Sequence, residues 1–100
     1  MRTLLKIQMD VGAANDAIRD GSLPKMMETV LGQLRPEAAY FGTEDGIRTG
    51  YIVFDMKETS DMPVIAETFF MMLKARVQFT PVMNADDLKA GLQKYLASKK

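Results

Sequence analysis

The chain has 100 residues, 13 Lys+Arg against 13 Asp+Glu, and no Cys, His or Trp. These counts place it in the size range of one domain, residues 1–100, and give it no surplus of positive charge with which to neutralise nucleic-acid phosphates. They also exclude disulfides, thiolate nucleophiles, histidine general bases, Ser-His-Asp triads and His- or Cys-ligated metals.

The run Thr3–Asp10 alternates, with Leu5, Ile7 and Met9 on one face and Leu4, Lys6, Gln8 and Asp10 on the other. A period of two predicts a half-buried strand. Ala13, Ala14, Ala17 and Ile18 predict a short helix that Gly21 interrupts, and Ser22 is placed to cap a restart with Pro24 in its first turn. Leu23, Met26, Met27, Val30, Leu31 and Leu34 recur at helical spacing, and Arg35-Pro36 stops the helix.

Two strands follow, Ala38–Thr43 and Ile47–Met56, around Glu44-Asp45-Gly46. Asp-Gly suits the centre of a type I′ hairpin turn and sets Tyr40 opposite Tyr51 and Phe41 opposite Gly50. A polar connection, Lys57–Asp61, leads to a second helix capped by Ser60 or Asp61, with Pro63 in its first turn. Its buried stripe is Ile65, Ala66, Phe69, Met72 and Leu73. Ala75–Met83 alternates as a fourth strand, and Pro81 assigns it to a sheet edge or a strand end. Asn84 is a predicted N-cap for a last helix whose apolar side is Leu88, Leu92, Tyr95 and Leu96.

The order β-α-β-β-α-β plus a terminal helix is the split pattern of ferredoxin-like α+β sandwiches. Right-handed crossovers place both long helices on one face of a four-stranded sheet. Leu5, Ile7, Met9, Ile52, Phe54, Val77 and Phe79 belong to that covered face. The other face carries Lys6, Gln8, Tyr40, Tyr51, Val53, Arg76, Gln78 and Thr80. Two tyrosines and a valine among polar groups favour an isologous homodimer through this open face over a purely solvated surface.

In this order, in length, and in the run Phe79-Thr80-Pro81-Val82-Met83-Asn84-Ala85-Asp86-Asp87-Leu88, the chain resembles the small bacterial members of the dimeric α+β barrel superfamily. The resemblance implies two sheets facing each other across a dimer. The superfamily includes cofactor-independent monooxygenases, muconolactone-isomerase-like enzymes, haem-binding enzymes and small stress-related proteins. Without His or Trp, this chain lacks the histidine haem ligand, the His/Asp pair and the tryptophan that particular members use.

Three sets of residues are candidates for chemistry. Lys6, Gln8, Tyr40, Tyr51, Arg76 and Gln78 converge on the open face, where Lys and Arg suit an anionic group and a tyrosine suits a substrate oxygen. Helix ends and loops carry Asp10, Asp55, Asp61, Asp86 and Asp87, for which capping is the simpler role. Within that set, Asp10 and Asp55 are expected at one end of parallel neighbouring strands. The nine methionines, including Met26-Met27 and Met71-Met72, read as flexible core filling.

No phosphate loop, GxSxG motif, metal site or cofactor motif is present in the sequence. There is no secretory apolar stretch and no run of about 18 apolar residues, so a cytoplasmic protein without membrane or nucleic-acid partners is expected. The leading expectation is small-molecule binding at the sheet face. A cofactor-independent enzyme and an interaction module without a pocket are the alternatives.

Overall fold

The computed structural model describes residues 1–99, in the order β1 (Arg2–Gln8), α1 (Val11–Arg19), α2 (Ser22–Leu34), β2 (Ala38–Glu44), β3 (Ile47–Asp55), α3 (Asp61–Leu73), β4 (Arg76–Pro81) and α4 (Ala85–Ala97). The sheet has four strands in the order β2-β3-β1-β4, and every neighbouring pair is antiparallel. This is an α+β architecture compatible with the expected ferredoxin-like arrangement.

Strand alternation divides the sheet into two faces. Thr3, Leu5 and Ile7 of β1 are buried while Arg2, Leu4, Lys6 and Gln8 stay partly exposed. In register, Leu5 lies between Ile52 and Phe79, and Ile7 lies between Gly50 and Val77. With Phe54 and Met9 they meet Met26 and Val30 of α2 and Phe69 and Leu73 of α3 in one core. Tight packing of this kind makes each large core side chain worth a few kcal/mol.

The hairpin register is Tyr40 opposite Tyr51 and Phe41 opposite Gly50, as the Asp-Gly turn predicts. Asp45 and Gly46 take φ of 55° and 75°, the left-handed pair that a type I′ turn needs. A Cβ on Gly50 would lie 3.2 Å from the Phe41 ring, so the absent side chain gives that ring its seat.

Several local expectations are corrected. The first strand stops at Gln8, because Asp10 accepts the Ala13 amide and caps α1. Ser22 is the first residue of α2 rather than its cap; left-handed Gly21 makes the break, and Asp20 accepts the Ser22 amide. Ser60 flanks α3 without a side-chain capping bond, and carbonyls of Glu58 and Thr59 take the amides of Asp61 and Met62 instead. Asp10 and Asp55 do not share an end: β1 and β3 are antiparallel, and Asp55 pairs with Arg2 at the far end of β1. Pro81 closes β4, an edge strand, as its missing N–H requires.

The terminal helix forms with a complete capping box. Asn84 accepts the Asp87 amide, and Asp87 accepts the Asn84 amide. Yet none of its side chains is buried. The helix is tied to the sheet by the ion pair of Asp87 with Arg2, at 2.6 Å.

Candidate functional site

Parity along β1 and β3, and the register to β2 and β4, place all six predicted residues on the face away from α2 and α3. Tyr40, Tyr51, Lys6 and Gln78 form one row across the sheet; Gly42, Thr49, Gln8 and Arg76 form the next. Shared rows do not make shared bonds, however. The structure brings three of the six together, and it does so through a residue that the sequence reading left in the turn.

That residue is Glu44, the last of β2. Its carboxylate pairs with the Lys6 ammonium, accepts the Tyr51 hydroxyl at 2.9 Å, and accepts the Gln8 amide at 3.4 Å. Glu44 lies on the face of Tyr40 and Tyr51, and its side chain reaches back across the sheet towards β3 and β1. Thr49, flanked in register by Gly42 and Gln8, is only 1% exposed, and its hydroxyl donates to the Ile47 carbonyl.

The electrostatics follow from these bonds. The Lys6 hydrogen bond and then that of Tyr51 hold the Glu44 carboxyl below its ordinary value. The same carboxylate raises Lys6, and it raises Tyr51, whose ionisation would set two negative charges side by side. At neutral pH the cluster is therefore a carboxylate–ammonium pair with a neutral phenol as donor. Tyr51 is suited to orient an oxygen or donate to it, and poorly suited to act as a base.

Tyr40, Arg76 and Gln78 border this cluster without joining it. Their side chains make no hydrogen bond or ion pair with other described residues. Arg76 thus presents an uncommitted guanidinium next to Gln8, while Lys6 has its charge neutralised. The parity signal that would have found Glu44 was present: Tyr40, Gly42 and Glu44 alternate, and the Tyr40–Tyr51 register carries Glu44 to Ile47.

Four of the five acidic candidates have structural partners, Asp61 accepting the Glu58 amide at 3.3 Å. Asp10 and Asp87 cap helices. Hydrogen bonds from Lys57 and then the N-terminal amine hold Asp55 down to about 2. Arg2 joins Glu37 and Asp87 at the same end of the sheet. Among the described residues there is no group of three or more acidic side chains placed to hold a metal ion, and no helix is long and apolar enough to cross a membrane.

Two cavities lie elsewhere in the described chain. A groove of about 410 Å³ runs between α2 and α3, lined by Met26, Val30, Leu34, Val64, Ile65 and Met72 among others. A second, of about 720 Å³, opens beside Arg2, Glu37 and Asp87. Neither is lined by any of the six predicted residues. The chain matches no family model, no curated protein and no solved structure.

Proposed function

We propose that the chain is a small-molecule-binding protein of dimeric α+β barrel type, in which a second copy covers the open sheet face and turns it into a pocket. The observation that carries this reading is the Glu44 cluster. One carboxylate gathers donors from two other strands on a face its own chain leaves uncovered. Converging polar groups beside aromatic surface are the usual furnishing of a small-molecule site.

The uncommitted Arg76 selects the ligand class, a small organic anion such as a carboxylate, held by the planar guanidinium fork. Gln78 and Gln8 supply amide contacts, and Tyr51 donates to a neutral oxygen. This assignment favours binding over turnover, because the cluster offers no free base. The expected result is a saturable rise in melting temperature with members of a panel of small carboxylates. Arg76→Ala should weaken that response at least tenfold, the value of one lost charge-assisted pair of about 1.5–3 kcal/mol. A panel without any shift would count against the reading. It would favour an interaction module without a pocket.

A further inference from the structure

The terminal helix is an arm without a resting place on its own body. Leu88, Leu92, Tyr95 and Leu96, at spacings of four, three and one, make one apolar stripe, yet they are 48%, 54%, 57% and 67% exposed. A helix of 13 residues is marginal in water unless its apolar side is covered. The molecule as a whole carries the same mark. Its accessible surface is 6913 Å², where a compact monomer of this mass would expose about 5,700 Å². Its radius of gyration is 16.3 Å, against about 13 Å for a compact chain of this length. The surplus, roughly 1,200 Å², is larger than the roughly 800 Å² that each partner buries in a standard interface.

We infer that α4 is an exchanged arm: it lies across the apolar half of the open sheet face of a second copy of this chain. This rests on the homodimeric reading above and assigns the surface that makes it. Three features of the fold select that position. First, the root of the arm is on the open-face side, since Asp87 is held by Arg2, which shares the parity of Leu4, Lys6 and Gln8. Second, the sizes agree. The helix is about 20 Å long and about 10 Å wide, and the face is about 19 Å across four strands, so one helix covers half of it.

Third, the face is divided. Its β2–β3 side presents Ala38, Tyr40, Ile47, Tyr51 and Val53, with Glu44 the charged exception, whereas its β1–β4 side presents Lys6, Gln8, Arg76, Gln78 and Thr80, with Leu4 the apolar exception. The leucine stripe matches the apolar residues of the first side and leaves open for a ligand the polar side, where the Glu44 carboxylate meets Lys6 and the Tyr51 hydroxyl. Twofold symmetry makes the contact reciprocal, so each copy supplies the cover for the other's site.

The test combines sedimentation velocity with intermolecular paramagnetic broadening, using the full chain. The wild type is expected to be a dimer at micromolar concentration. Leu88→Glu with Leu92→Glu should weaken dimerisation by at least about 100-fold, with the amide resonances of the core residues Leu5 and Ile52 unmoved. For the second measurement, unlabelled Gln93→Cys protein carrying a nitroxide is mixed with ¹⁵N-labelled wild type. Broadening of Tyr40 and Val53 amides in the labelled copy supports the arm. A wild-type dimer that survives the double substitution, or broadening confined to the α2–α3 groove, overturns the exchange while leaving a dimer standing. A wild type that stays monomeric at millimolar concentration overturns both.

Discussion

Glu44 shows how one side chain at a strand end organises a face. Its carboxylate is depressed and Lys6 is raised, so both charges persist across the neutral range. The sign of the pH dependence follows. The contribution of Glu44 is complete above its ordinary value of 4.5 and is lost as pH falls through the lowered folded value. That of Lys6 is complete below 10.5 and is lost as pH rises through its raised value. Tyr51 acts in the same alkaline direction, because its neutral form is the one the carboxylate favours. Glu44→Gln removes the negative charge that holds Tyr51 protonated. The upper limb of a spectrophotometric phenolate titration should then move to lower pH; an unchanged titration would mean that the hydroxyl is not bound to Glu44 in solution. Lys6, Gln8 and Tyr51 were legible because alternation alone sorts a strand into faces. Glu44 was missed because an Asp-Gly turn draws its neighbour into the loop, although the hairpin register carries the ladder one residue further.

At the scale of elements, the hairpin is the part most directly dictated by residue type. Asp45 and Gly46 occupy left-handed conformations, and Gly46 does so at φ 75°. Gly46→Ala puts a Cβ where an L-residue is strained, and should cost about 1 kcal/mol. That corresponds to a fall of roughly 4–8 °C in melting temperature for a domain of this size, measurable by calorimetry; no change would show that the turn relaxes to another type. The helix starts were less legible. Several residues near each start can serve as caps, and which one does depends on where the preceding strand lets the chain go. Asp10, read as the strand end, caps α1 instead by accepting the Ala13 amide, and β1 ends at Gln8. Ser60 gives no capping bond because a tight turn over Glu58–Asp61 already supplies acceptors for the first amides.

At the scale of the molecule, α4 sets the question. Its sequence encodes a well-capped amphipathic helix, and no described residue of the chain buries its stripe. If the arm and the open face are covered by a second copy, unfolding is coupled to dissociation. The melting temperature should then rise with protein concentration, by the equivalent of about 1.4 kcal/mol of dimer stability for each tenfold. A midpoint independent of concentration from micromolar to millimolar would exclude that coupling.

The sequence by itself determined the periodicities, and with them the element order, the two faces of the sheet, the hairpin register and the exclusion of thiol and imidazole chemistry. Those properties are local: they depend on residue type and on spacings of two, three or four. Tertiary structure decided what depends on distant segments meeting. It set Asp55 beside Arg2 instead of beside Asp10, because neighbouring strands run antiparallel. It drew Glu44 onto Lys6 and Tyr51, because the hairpin and β1 registers set all three on one face of the sheet. And it left the last helix standing clear of its own body, while α2 and α3, helices of the same length, cover the other face of the sheet.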